Sequence, residues 1–279
     1  MRLSGASLWT NLEARRTNTF LVVRHDRIVF EIYVDGWNPE MKHYTASLAK
    51  ALVGGMSLMS AVADRRISPD DLVHRYIPQW SAHPERSQIT VCHLATHTSG
   101  IEDARDDASD VSHDELPGWK GAFWKGRSME RDDDPFTISR DHAPILFRPG
   151  TDYHYSNPGM ALLSYAIAVA LQDLPHADIR TLLRKCILRP IGVPDDAWSI
   201  GYGKTFDVEG LPVVANWGGG SFTACAVASV GRMMLRHGEW NGVQLMSPAV
   251  VKGAVAYSLK SDGFMFGSVV NKGIFGCNE

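Results

Sequence analysis

Two residues early in the chain have the types and spacing that a hydrolytic site requires. Ser47 and Lys50 form a Ser-x-x-Lys pattern at the head of an apolar segment, residues 51–63. If this segment is helical, the hydroxyl and the amine share one face, with their Cβ atoms about 5–6 Å apart. A serine nucleophile with a lysine base needs this arrangement. The alternative interpretation is a helix-capping serine followed by a lysine that extends to solvent.

The segment after Ser47 predicts a buried helix. Residues 48–63 are apolar on nearly every face, and helices of this kind lie inside a domain. Burial would desolvate Lys50 and lower its pKa towards the range in which a lysine accepts a proton. Because a four-residue pattern occurs by chance in many chains, the rest of the sequence must supply its context.

Composition and charge indicate which kinds of partner and which cellular compartment to expect. The 279 residues carry 28 Lys and Arg against 31 Asp and Glu, a net charge of −3, which argues against a nucleic-acid or membrane partner. No long apolar run predicts a membrane span. The N-terminus has no apolar core of a secretory signal, so we expect a cytoplasmic protein.

Histidines and cysteines do not predict a metal site. His93 and His97 stand four residues apart, a spacing that can bind metal. No acidic residue lies between them, and no third ligand is apparent. The four cysteines are far apart and form no C-x-x-C pair. We therefore expect neither a metal nor another cofactor.

A long segment, residues 102–134, is rich in charged residues and glycine and has no sustained apolar periodicity, which predicts a surface excursion. Trp119 and Trp124 lie within it. Aromatic side chains in a long loop often line a binding cleft, which makes these two candidate substrate contacts. The alternative is that they pack the loop onto its own domain.

Two later stretches carry further candidates. Tyr155 and Asn157 lie on an irregular stretch just before an apolar helix predicted over residues 160–171, where side chains can be aimed at a site. The alternative is a turn tyrosine with an Asx-type asparagine. Gly219 and Gly220 belong to a Trp-Gly-Gly-Gly-Ser run that lacks the endings of phosphate-binding loops. Close backbone approach near a cleft explains this run better.

Four motifs then occur in a specific order. They are Ser-x-x-Lys at 47–50, His-Thr-Ser-Gly at 97–100, Pro-Gly leading to Tyr-Ser-Asn at 149–157, and the glycine-rich run at 218–220. Together they resemble the penicillin-recognising serine hydrolases, above all the class C β-lactamases, D-Ala-D-Ala peptidases and related esterases. The resemblance covers roughly residues 20–248, and its joint motifs are far more specific than any one alone.

The resemblance implies a role for each residue. Ser47 attacks a carbonyl and becomes acylated, and Lys50 helps to remove its proton. Tyr155 shuttles the proton to the leaving group and helps to activate the deacylating water, while Asn157 holds the lysine and the substrate amide. The residue types agree, because a nucleophile, a desolvated base and a phenol can perform acid–base catalysis without histidine.

The family's third motif is missing from the sequence. It is Lys-Thr-Gly or a His/Gly-rich equivalent, on an edge strand whose backbone N–H completes the oxyanion hole. Residues 264–270 resemble the strand just before that motif, and Lys272-Gly273 is a poor substitute for it. We therefore expect an incomplete gene product. Loss of one oxyanion donor typically costs about 10²–10³ in rate.

These observations predict an α/β (α+β) fold, with an antiparallel sheet flanked by helices. Residues 1–65 and 206–279 would form the α/β domain, and residues 66–205 a mostly helical insertion. The predicted function is hydrolysis of a small-molecule ester, amide or β-lactam through an acyl-enzyme on Ser47. The alternative is an impaired or non-catalytic binding domain, or a truncated product without the oxyanion-hole strand. Substrate and oligomeric state stay open.

Overall fold

A computed structural model describes residues 5–34, 36–106, 108–126, 134–175 and 178–255. Its helices are α1 (Gly5–Ala14), α2 (Met56–Ala63), α3 (Val91–Ala95), α4 (Gly118–Gly126), α5 (Pro135–His142), α6 (Asn157–Leu171), α7 (Ile179–Leu183), α8 (Ala224–Leu235) and α9 (Pro248–Val255). Its strands are β1 (Thr19–Arg24), β2 (Arg27–Tyr33), β3 (His43–Tyr44), β4 (Trp198–Ser199), β5 (Phe206–Val208), β6 (Leu211–Val213), β7 (Ser221–Phe222), β8 (Glu239–Trp240) and β9 (Val243–Gln244). The predicted strand at 264–270 lies outside the described residues, and the domain limits stay a prediction.

The N-terminal part of the predicted sheet is a hairpin. β1 and β2 pair in antiparallel fashion from Thr19 opposite Tyr33 to the turn. The two turn residues, His25 and Asp26, both have positive φ angles, 51° and 63°, which match the twist of a tight two-residue hairpin turn. Two runs rich in β-branched and aromatic residues thus pair around a polar turn, with one register irregularity between Val22 and Val23.

A three-stranded antiparallel sheet joins distant parts of the chain. Its order is β3, β7, β4, so β7 is central, and Phe222 lies opposite both His43 and Trp198. One step beyond this pairing, the Thr45 backbone N–H donates to the carbonyl of Gly220 at 2.9 Å. The glycine-rich run is thereby held against the residues that lead into the Ser-x-x-Lys pattern.

The predicted buried helix after Ser47 is present, but its winding changes along its length. A 3₁₀ turn at Ala46–Leu48 leads into a π-helical stretch, Lys50–Gly55, and then into α2. The wide π turn brings the backbone against its neighbours. A Cβ on Gly54 would lie 2.7 Å from the Met160 Cε and 3.1 Å from the Asn216 Nδ2. Single π turns within helices are frequent at functional sites.

Among the described residues, one helical run, Ala46–Ala63, is long and apolar enough by length and composition to cross a membrane. This differs from the expectation that no such run exists. The fold accounts for it, because 72% of the run is buried inside the protein. Its apolar surface serves to pack against other helices, α6 and α7 among them.

The segment at 102–134 contains helical structure that the sequence did not predict. A 3₁₀ turn at His113–Glu115 precedes α4, and α4 packs against α5. Phe123 and Trp124 are buried in α4. Gly118 and Gly121 lower the intrinsic helix propensity of this stretch, so the helix depends on tertiary packing that a local pattern does not show.

The start of the second central helix, α6, fixes the position of the irregular stretch that precedes it. It is apolar on nearly all faces and contacts α2, α3 and α5. Ser156 caps it, since its hydroxyl accepts from the Gly159 backbone N–H at 2.9 Å, and Pro158 stands in its first turn. The helix therefore begins at Asn157, three residues earlier than predicted, and this fixes where Tyr155 and Asn157 leave the chain.

Candidate active site

Ser47 lies on the strained turn that opens the core helix. The preceding residue, Ala46, has φ of 45°, in the left-handed region that costs a non-glycine residue about 1–2 kcal/mol. Both residues are exposed, whereas Ala49 and Lys50 are buried. The turn therefore raises the Ser47 hydroxyl to the surface while the chain after it enters the core.

Lys50 is buried below Ser47, with only 1% of its surface exposed. Its Nζ donates to the Asn157 Oδ1 at 2.7 Å and to the backbone carbonyl of Trp217 at 2.8 Å. Its third neighbour is the Ser47 Oγ at 3.4 Å. An ammonium group has three protons, so two are held by strong acceptors and the third faces the serine.

The environment of Lys50 favours its neutral form. Burial lowers the pKa of Lys50 to about 7, because the charged ammonium loses hydration. The negative charge of Asp103 opposes this shift, and the positive charge of Arg105 adds to it. Desolvation is the largest effect. A substantial fraction of Lys50 is then neutral near pH 7 and can accept a proton from Ser47.

Tyr155 approaches the same serine oxygen. Its hydroxyl donates to the Ser47 Oγ at 2.7 Å, and the Lys50 Nζ lies 4.5 Å from the centre of its ring. Burial raises the pKa of Tyr155 to about 12, although the hydrogen bond with Ser47 lowers it. The phenol therefore keeps its proton at neutral pH and acts as a donor.

His97 supports the Tyr155 ring. The imidazole is buried and stacks on the phenol with 4.8 Å between ring centres and 29° between planes. Its Nδ1 accepts from the Ser156 backbone N–H at 3.2 Å. Burial, followed by the charges of Lys50 and His154, lowers the pKa of His97 to about 3. The ring is thus a neutral platform throughout the physiological pH range.

The two histidines with metal-like spacing have other partners. The Nδ1 of His93 accepts from the Thr90 backbone N–H at 3.2 Å and so helps to cap α3. α3 ends at Ala95, and His97 follows it with a left-handed φ of 59°. In the part of the chain that the structure covers, no group of three or more His, Cys, Asp or Glu residues could hold a metal.

Asn157 joins the site to a carboxylate that the sequence did not indicate. Its Oδ1 faces Lys50, while its Nδ2 and its backbone N–H both donate to the Oδ1 of Asp103, at 2.9 Å and 2.8 Å. Asp103 is one of many acids in its segment, and no spacing rule sets it apart. The Trp217 carbonyl was also missed, since a backbone acceptor leaves no signal in residue types.

The two predicted glycines permit close backbone packing. The Gly220 carbonyl accepts from both the N–H and the hydroxyl of Thr45, at 2.9 Å and 3.0 Å. Gly219 has φ of 70°, and a Cβ there would lie 2.5 Å from the Tyr202 backbone nitrogen. These contacts align β7 with the turn that carries Ser47. Substrate contact by either glycine stays a prediction.

The two predicted tryptophans differ in their surroundings. Trp124 is 7% exposed, stacks on His113 at 5.2 Å, and donates from Nε1 to the carbonyl of Ala104 at 3.0 Å. It thus packs against the residue next to Asp103. Trp119 is half-buried and lies 6.0 Å from the Lys120 Nζ. Substrate contact stays a prediction for both.

A fold of helices and antiparallel sheets, with a buried lysine, a phenol and a serine in contact, defines the class of β-lactamase and penicillin-binding-protein folds. The Beta-lactamase family model matches residues 8–272, and the chain belongs to this family. It is 29% identical over 250 residues to the 6-aminohexanoate-dimer hydrolase of Paenarthrobacter ureafaciens, which covers 88% of this chain. The chain spans 58% of the length of that relative.

Solved structures share the fold. The penicillin binding protein from Bacillus halodurans aligns with a TM-score of 0.63 at 19% identity, over 89% of this chain and 78% of its own. The D-amino acid amidase from Ochrobactrum anthropi SV3 aligns with a TM-score of 0.58 at 16% identity, over 87% and 72%. The predicted family and fold class are therefore confirmed.

Proposed function

We propose that this protein is a serine hydrolase in which Ser47 attacks the carbonyl carbon of an amide, ester or β-lactam and forms an acyl-enzyme. One observation carries the proposal. The exposed Ser47 Oγ lies 3.4 Å from a buried amine with a lowered pKa and 2.7 Å from a phenol with a raised pKa. Nucleophile, proton acceptor and proton donor thus meet at one oxygen.

In acylation, Lys50 would accept a proton and Tyr155 would donate one. Neutral Lys50 takes the hydroxyl proton as the bond between Oγ and the carbonyl carbon forms. The resulting ammonium is held by Asn157 and by the Trp217 carbonyl. Tyr155 gives its proton to the leaving amine as the C–N bond breaks, and the proton on Lys50 restores the phenol. Water then releases the acyl group by the reverse proton path.

Among the three acyl donors, we place linear amides first. This choice rests on the curated relative, which is named for hydrolysis of the 6-aminohexanoate dimer. Residues that could complete an oxyanion hole after position 255 lie outside the described residues. The missing third motif therefore stays a prediction, and the test must measure chemistry directly.

The decisive experiment is intact-mass measurement after exposure to a p-nitrophenyl ester, a penicillin and a linear ω-amino acid dimer. We expect a mass increase of one acyl group, mapped by peptide digestion to Ser47 and lost in Ser47→Ala. Ser57→Ala is the matched control, because the Ser57 hydroxyl bonds two backbone carbonyls of its own helical run, those of Val53 at 2.7 Å and Gly54 at 2.9 Å. No adduct with any substrate would overturn the proposal and favour a non-catalytic binding domain. An adduct that persists in Ser47→Ala would overturn Ser47 as the nucleophile.

A further inference from the structure

Asp103 holds three N–H groups with a single carboxylate oxygen. Its Oδ1 accepts from the Asn157 Nδ2 at 2.9 Å, the Asn157 backbone N–H at 2.8 Å and the Ala104 backbone N–H at 2.9 Å. The residue is 8% exposed. Hydrogen bonds to an ionised acceptor are about twice as strong as neutral ones, and low exposure strengthens them further. The carboxylate therefore ties the loop after the His-Thr-Ser-Gly motif to the first residue of α6.

These bonds determine which way the Asn157 amide points. In the observed orientation, the amide NH₂ meets the Asp103 carboxylate and the amide oxygen meets the Lys50 Nζ at 2.7 Å. If the amide turned over, its NH₂ would face the ammonium and its oxygen would face the carboxylate. Both contacts would then be repulsive. The carboxylate thus selects the orientation that gives Lys50 an acceptor.

We propose that Asp103 is a positioning residue that locks the Asn157 amide with its oxygen towards Lys50 and so keeps the Lys50 amine directed at Ser47. This inference rests on the proposed function, since acylation of Ser47 is the step that the alignment serves. Lys50 has few other ways to hold its position. Its other strong acceptor is the Trp217 carbonyl. One hydrogen bond would let the Lys50 amine rotate, and the second bond, to the Asn157 Oδ1, limits that rotation.

The charge of Asp103 gives the inference a second readout. The groups that act on Lys50 are Asp103, whose charge raises its pKa, Arg105, whose charge lowers it, and the Tyr155 ring at 4.5 Å. Neutralising Asp103 would therefore lower the pKa of Lys50 below about 7. The acidic limb of kcat/KM would move to lower pH, which a general loss of packing would not cause.

A reciprocal exchange tests the lock. Asp103→Asn loses the charge, and Asn157→Asp places two carboxylates together. We expect each single variant to acylate at least about tenfold more slowly, since small misplacements of reacting groups cost up to about 10²-fold. The double variant restores one amide and one carboxylate, with the carboxylate now against Lys50. We expect it to recover about tenfold over Asn157→Asp and to shift the acidic limb to higher pH.

Glu102→Gln is the matched control, because this neighbouring carboxylate pairs with the Lys120 Nζ at 2.8 Å and not with Asn157 or Lys50. We expect its rate to stay within about twofold of the unmodified protein. A p-nitrophenyl ester supplies the acylation rate, and thermal unfolding checks that each variant folds. The inference would be overturned if Asp103→Asn kept the rate and the pH limb of the unmodified protein, or if the double variant acylated no faster than Asn157→Asp.

Failure of the proposed function is a separate outcome, recognised by the absence of any adduct in the unmodified protein. The positioning role is then judged without turnover, from the titration of Lys50 followed by the ¹³Cε shift of labelled lysine and assigned with Lys50→Arg. A midpoint that falls in Asp103→Asn and rises in the double variant supports the lock. Unchanged midpoints in both variants overturn it.

Discussion

The Tyr155 hydroxyl donates a hydrogen bond to the Ser47 Oγ across 2.7 Å. Burial shifts the pKa of this phenol and the pKa of the Lys50 amine in opposite directions. Burial disfavours whichever form is charged, which is the phenolate of Tyr155 and the ammonium of Lys50. The pKa of Tyr155 therefore rises to about 12, and that of Lys50 falls to about 7. Burial thus leaves one group that keeps its proton at neutral pH and another that can accept a proton.

The proposed role of Tyr155 as the proton donor to the leaving group predicts that the effect of Tyr155→Phe depends on the substrate. An amine leaving group must be protonated, whereas p-nitrophenolate leaves without a proton. We expect kcat/KM for an amide to fall by about 10²–10⁴, the usual range for a lost general acid, and that for a p-nitrophenyl ester to fall much less. Steady-state kinetics with both substrates makes the comparison.

Tyr153→Phe is the control for that substitution. Its ring also packs on His97, edge-on at 6.1 Å, but its hydroxyl has no assigned part in the reaction. We expect both substrates to be affected by less than about threefold. Equal losses for amide and ester in Tyr155→Phe would show that Tyr155 does not protonate the leaving group.

We expect kcat/KM to rise with pH through a single limb whose midpoint lies near pH 7. Lys50 must be neutral to accept a proton, so activity increases as pH passes upward through its pKa of about 7. His97, with a pKa of about 3, and Tyr155, with one of about 12, leave the range between about pH 5 and 9 to Lys50. A flat profile, or a limb near pH 4, would contradict the role of Lys50.

The sequence predicted the parts of the site that depend on side-chain type and local spacing. Ser47, Lys50, Tyr155 and Asn157 were predicted as candidates because an apolar helix and four ordered motifs indicate them. Their convergence around the Ser47 and Lys50 side chains is what the structure adds. α6 was predictable because its all-round apolar pattern extends over nearly the whole element.

What was missed depends on contacts between distant segments. Asp103 acts through three N–H groups, of which two belong to a residue 54 positions later. The Trp217 carbonyl acts through its backbone. α4 forms in a glycine-containing stretch because Phe123 and Trp124 are buried, and the π turn after Lys50 reflects packing against α6. None of these has a periodic signature in the sequence.

Burial of Lys50 also predicts how stability depends on pH. The unfolded chain binds a proton on this lysine up to pH 10.5, while the folded protein releases it near pH 7. Stability therefore rises with pH across that window and is flat below it. We expect a gain of about 2 kcal/mol between about pH 7 and 9, measured as the difference in urea unfolding between the protein and Lys50→Met.

Lys50→Met removes the titrating group, so subtraction cancels other ionisations. Its own profile should lack the rise. Lys185→Met, at an exposed position, is the matched control and should keep the slope of the unmodified protein. Parallel profiles for the protein and Lys50→Met would mean that Lys50 is not desolvated in the folded state.

Gly220 predicts a steric effect on the nucleophile. A Cβ at this position would lie 2.6 Å from the Thr45 Oγ1 and 3.3 Å from the Ala49 Cβ. Thr45 must then shift, and it stands two residues before Ser47. We expect Gly220→Ala to destabilise the protein by about 1–3 kcal/mol and to lower acylation by about 10²-fold. Unfolding and ester kinetics measure the two effects.

Two further variants identify the cause. Gly231→Ala lies within α8 with no atom near its added Cβ, so it should leave acylation unchanged and stabilise the protein by about 0.5–1 kcal/mol. Thr45→Ala removes the atom that meets the new methyl group. The double variant Thr45→Ala with Gly220→Ala should therefore acylate faster than Gly220→Ala alone. If it does not, the close approach of Gly220 to Thr45 is not what positions Ser47.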